Sequence, residues 1–159
     1  MEILGVYTRM AKKQKENIDF RHLPDCACFN LQKATRAVSQ YYNKILKPSG
    51  LRGTQFTILG VLSVIDSDSI TNIANLMVVD RTTLTRNLRP LEKRKLVKIV
   101  PGKDQRSREV RLTKMGKDTL TAAIPLWKEA QKRFSEKLSK EEFQNIFKLM
   151  SSIISVVKA

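Results

Sequence analysis

Apolar residues recur at intervals of three and four along most of the chain, and this period changes to alternation in only one place. The three-and-four period is that of an amphipathic α-helix, whereas alternation is that of a half-buried strand. Helical spacing covers residues 31–45, 56–65, 73–77, 84–91, 120–138 and 143–157, and the strand-like stretches are 96–100 and 109–112. With a charged turn at 101–107, the pattern predicts a mainly α protein with a small two-stranded β-hairpin. The 159 residues suffice for one domain.

Residues that favour helix starts stand where most of these helices would begin. Pro24 and Asp25 are typical of the start of the first helix, and residues 48–50 are typical of its end. The N-caps predicted for the later helices are Thr54, Thr71, Asp80, Thr113 and Ser139, the last with Glu142 three residues on as a capping box. Residues 66–69 are predicted to form a polar turn, and the apolar helix 56–65 is predicted to be central to the core.

The positive charge is concentrated in one part of the sequence. The chain carries 30 Lys and Arg against 15 Asp and Glu, a net charge of +15. Residues 80–114 hold twelve of the basic residues and four of the acidic ones, so +8 of the excess lies in one predicted helix and the hairpin behind it. We therefore expect a polyanion as the partner, and this concentration favours nucleic acid over a merely solvated basic surface.

Two short helices followed by a hairpin are typical of a helix-turn-helix with a wing. With Leu84, Leu88 and Leu91 turned inward, the helix at 80–94 would present its opposite face to a major groove. The candidate DNA-binding residues are Arg81, Thr82, Thr83, Thr85, Arg86 and Arg89 in the helix, and Lys103, Arg106 and Arg108 in the wing. Arginine binds guanine through O6 and N7, so Arg86 is predicted to read a base. Arg106 or Arg108 is predicted to enter the minor groove, and Lys103 to bind phosphate.

The helix and the hairpin contain a series of short motifs. They are residues 80–88 (Asp-Arg-Thr-Thr-Leu-Thr-Arg-Asn-Leu), Leu91-Glu92, Leu96-Val97, Asp104-Gln105-Arg106 and Leu112-Thr113. Together these resemble the recognition helix, the wing and the following cap of the MarR-type winged helix-turn-helix transcription regulators, and the likeness runs from about Asp25 to the C-terminus. Lys95 departs from the pattern, since such proteins usually carry a glycine there to end the recognition helix. Lys95 must therefore adopt a left-handed conformation, or the helix must end differently.

The resemblance implies a sequence-specific regulator, a repressor released by a small-molecule or oxidant signal. It also implies a homodimer whose first and last helices interdigitate, bound to a pseudo-palindromic operator with half-sites roughly 34 Å apart. The chain would then comprise a basic N-terminal arm (1–23), a first dimerisation helix (24–50), a winged helix-turn-helix region (51–113) and C-terminal dimerisation helices (114–159). Apolar spacing independently predicts a helix-pairing seam. The residues predicted for dimerisation are Leu120, Trp127, Phe134, Phe143, Ile146, Phe147, Met150 and Ile154.

Two cysteines stand at the start of the first predicted helix. There the partial positive charge of the helix end stabilises a thiolate, so Cys26 and Cys28 are candidate redox-sensing residues. Residues two apart on a helix point in different directions, so the pair is not a disulfide framework. Residues 28–31, with Tyr42 further along, are similar to the branch of this family that senses organic hydroperoxides through a cysteine near tyrosines. Gln32 stands where that branch has a tyrosine.

Other interpretations of these residues stay open. Both cysteines could be small buried hydrophobic residues at a dimer interface. A zinc site formed with His22 and Asp25 would lack a repeated ligand pair. Trp127 with the Tyr41-Tyr42 pair could line a cavity for an aromatic effector, or simply pack in the core.

Several functional classes are not expected. The longest uncharged run is 13 residues, 53–65, whereas a membrane-spanning helix needs about 20. With no secretory signal either, a cytoplasmic protein is predicted. The cysteines are not accompanied by a Gly-rich phosphate loop, a nucleophile elbow or a second histidine, so neither an enzyme nor a cofactor or metal is predicted. The alternative function is a sequence-blind architectural nucleic-acid-binding protein, which would show little preference for one operator over random duplex.

Overall fold

The computed structural model describes residues 21–102 and 107–158. The chain divides into two compact units, residues 1–39 and 40–159. In the first unit a 3₁₀ turn at Leu23–Asp25 precedes helix α1 (Ala27–Leu46). The side-chain amide of Asn30 donates hydrogen bonds to the carbonyl oxygens of Pro24 (2.6 Å) and Cys26 (3.0 Å). These bonds hold the turn against the start of the helix, which lies where the sequence predicts it.

The second unit contains the end of α1 and eight further elements. After a 3₁₀ turn at Lys47–Ser49 they are α2 (Gly53–Ile65), β1 (Ser67–Ser69), α3 (Ile70–Leu76), α4 (Arg81–Lys93), β2 (Val97–Pro101), β3 (Arg108–Leu112), α5 (Lys114–Ser135) and α6 (Lys140–Lys158). Six helices and one small sheet among the described residues confirm the mainly α fold with a hairpin. None of the helices in the described residues has the length and apolar character needed to cross a membrane.

The sheet has three strands rather than the two predicted. Its order is β1-β3-β2 with antiparallel neighbours, and Ile99 of the expected hairpin lies opposite Val110. The third strand is formed by Ser67–Ser69, where a polar turn was predicted, and Asp68 pairs with Val110. A strand of three polar residues is too short to show alternation, and its residue types are also those of a turn. Its pairing with β3 therefore decides its structure.

The core of the second unit is formed around α2. Its fully buried side chains come from α2 (Ile58, Leu59, Leu62), α3 (Ile73), α4 (Leu84, Leu88, Leu91), the hairpin (Val97, Val110) and the end of α1 (Leu46). Burying a side chain of this size stabilises the fold by about 1.5–3 kcal/mol. The central place predicted for α2 is confirmed, although Val64 on its outer side is 85% exposed.

Three of the predicted helix caps are confirmed and two are wrong. Asp80, Thr113 and Ser139 accept hydrogen bonds from the first turns of α4, α5 and α6. Helix α2 begins at Gly53 after Arg52, so Thr54 lies inside it. Helix α3 is capped by Ser69, whose hydroxyl accepts from the amide of Asn72 (3.1 Å), and Thr71 also lies inside its helix. In both cases the actual N-cap, Arg52 or Ser69, lies two residues before the predicted one.

Lys95, which follows α4, adopts the left-handed conformation that the sequence predicts if the helix ends there. Lys95 has a φ of 57°, and its amide donates to the carbonyl oxygen of Glu92 (2.8 Å). The amide of Leu96 donates to the carbonyl oxygen of Leu91 (2.9 Å). These two bonds form a Schellman motif, the usual end of a helix whose next residue is glycine. The chain adopts it with a lysine, at a cost of about 1–2 kcal/mol for the left-handed backbone.

The first turn of α5 fixes the end of α4 to the wing. The hydroxyl of Thr113 accepts from the amide of Gly116 (3.0 Å) and donates to the carbonyl oxygen of Lys95 (2.7 Å). The amide of Thr113 donates to the carbonyl oxygen of Leu96 (3.1 Å). A single capping residue thus joins α5 to the segment between α4 and β2.

Candidate nucleic-acid interface

Helix α4 begins at a polar cap that fixes its first turn. The carboxylate of Asp80 accepts from the amide of Thr83 (2.7 Å) and from the hydroxyl of Thr83 (2.6 Å). The hydroxyl bond, followed by the amide bond, holds the pKa of Asp80 below its ordinary range because both stabilise the charged form. The first turn of α4 is therefore held at two points before the helix reaches its basic residues.

The two faces of α4 differ in burial and in charge. The buried face consists of three leucines that are at most 1% exposed: Leu84, Leu88 and Leu91. The opposite face, which we call the α4 stripe, carries exposed residues at intervals of four, three and four: Thr82, Arg86, Arg89 and Lys93. Arg81 is also exposed and lies in the first turn. The helix thus has one apolar face in the core and one cationic face outside it.

The cations of the α4 stripe have no acidic partner within residues 21–102 and 107–158. The ion pairs among the described residues are on β3 (Arg111 with Glu109) and at the end of α5 (Arg133 with Glu129, Lys132 with Glu136). Arg86 and Arg89 stand three residues apart, and Arg89 and Lys93 four apart, distances at which like charges on a helix repel. The stripe therefore presents uncompensated positive charge to solvent.

The structure separates the three candidate threonines of α4. Thr83 uses its hydroxyl in the Asp80 cap, and Thr85 donates its hydroxyl to the carbonyl oxygen of Arg81 (2.8 Å). Both are half-buried, whereas Thr82 is exposed on the stripe. The structure therefore brings Thr82 together with Arg86 and Arg89 and leaves the other two threonines in roles within the helix.

Lys93 is absent from the residues predicted from the sequence to bind DNA, although it completes the α4 stripe. The sequence does indicate this residue, because Lys93 lies four residues after Arg89 and so continues the helical spacing of Arg86 and Arg89. Base edges are nearest to the first half of a recognition helix, whereas Lys93 lies in the last turn of α4. A prediction that looks for base contacts therefore does not include it.

The predicted wing residues are only partly described. Lys103 and Arg106 lie outside the described residues. Arg108 is exposed at the start of β3, opposite Pro101. Further along the same strands, Lys98 and Arg111 form an exposed cross-strand pair, and Arg111 is bound to Glu109 at 3.1 Å. The described part of the hairpin is thus cationic on its outer surface.

The predicted dimerisation residues divide into two groups. Leu120 belongs to the core at 7% exposure, and the ring of Trp127 stacks on that of Phe56 with centroids 5.9 Å apart. Phe134 and Phe143 lie in ring contact at 6.3 Å. The residues along α6 are more open, with Phe143 and Ile146 half-buried and with Phe147, Met150 and Ile154 between 39% and 54% exposed. Helix α6 therefore carries an apolar face that the described chain leaves uncovered.

The tyrosines at the end of α1 pack against α5. Tyr42 donates its hydroxyl to the side-chain oxygen of Gln131, and Tyr41 donates to the carbonyl oxygen of Ala130 (3.4 Å). Both rings contact that of Phe134. Burial, and to a smaller extent the neighbouring Tyr41, raises the pKa of Tyr42 because the charged phenolate is disfavoured. These contacts pack the end of α1 against α5.

The two cysteines are free thiols at the start of α1. Cys26 directly precedes the helix and Cys28 lies in its first turn, and both are exposed. The side-chain amide of Gln32, one turn on, donates to the sulfur of Cys28 (3.3 Å). Among the described residues, no three His, Cys, Asp or Glu side chains are grouped so that they would hold a metal ion.

Helix α3, the turn after it, α4 and the β2–β3 hairpin form a helix-turn-helix followed by a wing. Together with the α4 stripe, this order defines a protein of the winged helix-turn-helix class.

Known proteins similar to this chain have the same architecture. No protein-family model matches it. The transcriptional regulator MosR of Mycobacterium tuberculosis, solved in complex with DNA, is 33% identical over 82% of this chain and 98% of its own, with a TM-score of 0.72. The regulator SarZ of Staphylococcus epidermidis is 24% identical over 140 residues, which is 87% of this chain and 93% of SarZ. A mutant of Escherichia coli MarR complexed with operator DNA shares the fold, with a TM-score of 0.75 at 19% identity over 86% and 99%.

The identity to MosR extends over nearly all of that protein. The chain therefore belongs to the MarR family of winged helix-turn-helix transcription regulators.

Proposed function

We propose that this protein is a homodimeric transcription regulator that binds a specific sequence of double-stranded DNA and represses the genes beside it. The observation that carries the proposal is the α4 stripe, an exposed row of cations directly opposite three buried leucines. The stripe spans 11 residue steps, or about 16 Å of helix, and an α-helix fits the major groove of B-DNA, which is about 12 Å wide. Family membership supports the proposal, since MosR and the MarR mutant were each solved with DNA.

The first half of the α4 stripe is the part that would read bases. Arg86 is the best candidate for a guanine, because a guanidinium can donate two hydrogen bonds to O6 and N7. Thr82 would contact a thymine methyl group or a phosphate with its exposed side chain. Arg89 and Lys93, further from the helix start, would meet the phosphate backbone.

The wing would extend the contact into the neighbouring minor groove. Arg106 or Arg108 would enter that groove, where negative potential is focused, and Lys103 would bind phosphate. The exposed position of Arg108 at the start of β3 supports this part of the proposal.

The homodimer is supported by the apolar face of α6. Exposed Phe147 and Ile154 lie seven residues apart, a repeat typical of paired helices. A two-fold dimer would present two copies of α4 to one side of the duplex, with a pseudo-palindromic operator as its target. We assign the protein a binding role rather than a catalytic one, and a cytoplasmic location because its partner is duplex DNA.

The test begins with selection of bound fragments from the source genome, followed by competition between the selected operator and random duplex at fixed salt. A regulator should prefer the operator at least about a thousandfold. Equal binding to both would contradict the proposal and would indicate the alternative, an architectural nucleic-acid-binding protein.

Single substitutions then test the assignment of residues. Arg86→Ala should weaken operator binding by about 1–3 kcal/mol and relax the preference at one base position, whereas Lys103→Ala should weaken all sequences alike. Lys117→Ala is a matched control, because Lys117 is exposed on α5 and its loss removes one charge away from the stripe. Equal losses on operator and random duplex for Arg86→Ala would contradict its role as a base reader.

We propose that repression is relieved by a small-molecule or oxidant signal, with the thiols as the candidate oxidant sensor. Cys26 and Cys28 are exposed, and the side-chain amide of Gln32 donates a hydrogen bond to the sulfur of Cys28, which supports this role. As the thiol proton leaves to water, the sulfur would attack the terminal oxygen of an organic hydroperoxide, which breaks the O–O bond and gives a sulfenic acid and an alkoxide. The alkoxide would take a proton from water and leave as the alcohol. Tyr42 is the third residue proposed for this response.

Treatment of the DNA-bound protein with an organic hydroperoxide tests the sensor. The wild type should release the operator and Cys28→Ser should retain it, with Cys26→Ser reporting whether the other thiol participates. If wild type and Cys28→Ser release DNA to the same extent, Cys28 is not the trigger.

A further inference from the structure

Arg94 belongs to the basic end of α4, but its guanidinium does not extend the α4 stripe. Its Nη1 donates to the carbonyl oxygen of Gly50 at 2.7 Å, across 44 residues of sequence. Gly50 lies in the turn between α1 and α2, and a side chain at that position would approach Nη2 of Arg94 to 3.3 Å. A charged donor on a carbonyl forms a stronger hydrogen bond than a neutral one. The end of α4 is thus attached to the α1–α2 turn.

The α1–α2 turn is a well-fixed point of attachment. Gly50 adopts a left-handed φ of 67° and its amide donates to the carbonyl oxygen of Lys47 (3.0 Å). The hydroxyl of Ser49 donates to the carbonyl oxygen of Leu46 (2.6 Å). Leu46 and Leu51, on the two sides of the turn, are 0% and 3% exposed. Since both ends of the turn are anchored in the core, the Gly50 carbonyl is a fixed acceptor.

Contacts continue from this turn to α5. Asn43, in the last turn of α1, accepts from the amide of Gly53 at the start of α2 (2.7 Å). One residue earlier, Tyr42 donates to Gln131 of α5. A continuous series of hydrogen bonds and helix backbone therefore joins the end of α4, through Arg94 and Gly50, to helices proposed to pair the protomers.

We propose that Arg94 is a positioning residue, which fixes the end of α4 to the α1–α2 turn and thereby sets the direction in which the α4 stripe meets DNA. The inference rests on the proposed function. It assigns to Arg94 a role different from that of its neighbour Lys93, which lies on the stripe and is expected to bind phosphate. The two residues have the same formal charge, so charge alone does not distinguish them.

The salt dependence of operator binding separates the two roles. Each phosphate contact adds about 0.9 to the slope of log affinity against log salt concentration. The proposed dimer carries two copies of Lys93, so Lys93→Ala should lower the slope by about two. Arg94→Ala should weaken operator binding about three- to tenfold, the range expected for the loss of one solvent-exposed hydrogen bond, and should leave the slope unchanged. A slope lowered by about two in Arg94→Ala would identify a phosphate contact in each protomer and overturn the inference.

Hydrogen exchange in the free protein provides a measurement that needs no DNA. Arg94→Ala should speed exchange of the amides in 47–53, and Lys93→Ala should not. Unchanged exchange in Arg94→Ala would show that the Gly50 contact does not hold the turn, and would also overturn the inference. If the wild type prefers no duplex, the proposed function fails and the inference with it. If it prefers an operator but Arg94 behaves as a phosphate contact, only the inference fails.

Discussion

Substitution of Gly116 by alanine should disrupt the junction between α4, the wing and α5. Gly116 is the third residue of α5 and is buried. A methyl group there would lie 2.0 Å from the carbonyl oxygen of Leu96 and 2.7 Å from Cδ1 of Leu112. The first atom belongs to the backbone, so no side-chain rotation relieves the overlap. The segment after α4 would have to move away from α5 by about 1.4 Å to restore ordinary contact at 3.4 Å.

The expected loss of stability follows from the groups that would move. Overpacking of this kind costs about 1–3 kcal/mol. The Leu96 carbonyl also accepts from the amide of Thr113 (3.1 Å), and weakening such a bond costs about 1 kcal/mol. Alanine is more favourable than glycine within a helix by up to about 1 kcal/mol, which offsets part of this loss. The free energy of unfolding should therefore fall by about 2 kcal/mol, or roughly 4–8 °C in Tm.

Gly60→Ala is the matched control, because it makes the same change inside α2 where a methyl group would meet no neighbour within 4 Å. It should stabilise the protein by about 0.5–1 kcal/mol, since glycine is unfavourable within a helix. Both variants are compared with wild type by urea unfolding followed by circular dichroism, at one protein concentration because the proposed dimer would make stability depend on concentration. A Gly116→Ala variant within 0.5 kcal/mol of wild type would refute the proposed steric role.

Four further outcomes are expected. Lys95→Gly should raise the free energy of unfolding by about 1 kcal/mol by relieving the left-handed backbone, and Lys95→Ala should leave it unchanged in the same urea assay. The pKa of Asp80 lies below its ordinary value of 3.8 in the folded protein. The contribution of Asp80 to the free energy of unfolding is therefore fully present above that value and is lost as the pH falls through the lower pKa of the folded state. Between pH 6 and pH 3, Asp80→Asn should lose less stability than the wild type loses. Ile154→Lys should shift the protein from dimer to monomer in sedimentation, because it puts charge in the apolar face of α6. Arg86→Gln should stabilise the free protein by about 0.2–0.5 kcal/mol through removal of its repulsion with Arg89, while it weakens DNA binding in a titration.

The fold could be predicted from the sequence wherever one face of an element is buried. The three leucines of α4 and the apolar side chains of α2 impose a helical period that only one secondary structure satisfies. Strand β1 and two helix starts could not be predicted in this way. Ser69 caps α3 and also ends β1, so its role depends on pairing with β3. The start of α2 at Gly53 depends on an acceptor in α1, Asn43, ten residues away.

The same limit applies to the candidate site. The composition of the α4 stripe follows from the helical period once the leucine face is known, and Lys93 belongs to it by spacing alone. The hydroxyl partners of Thr83 and Thr85 depend on side-chain rotamers, and the position of the Arg94 guanidinium depends on Gly50, which is distant in sequence. Periodicity predicts which face a residue occupies, but it does not predict which hydrogen bond its side chain forms.

The arrangement of charge on α4 indicates a binding role because stability alone would favour a different one. At the end of α5, Arg133 is paired with Glu129 and Lys132 with Glu136, which is the spacing that stabilises an exposed helix. On the α4 stripe the positions four residues away hold cations or uncharged residues, so Arg86, Arg89 and Lys93 repel one another. Glu92 lies three residues after Arg89, and the ion pairs of the described residues do not include it. Both helices belong to the same chain and face the same solvent. Acidic residues of α5 neutralise the cations of the same helix, so the cations of the α4 stripe must be neutralised by a partner. The phosphates of a duplex lie along a groove at a spacing that an extended row of cations can follow.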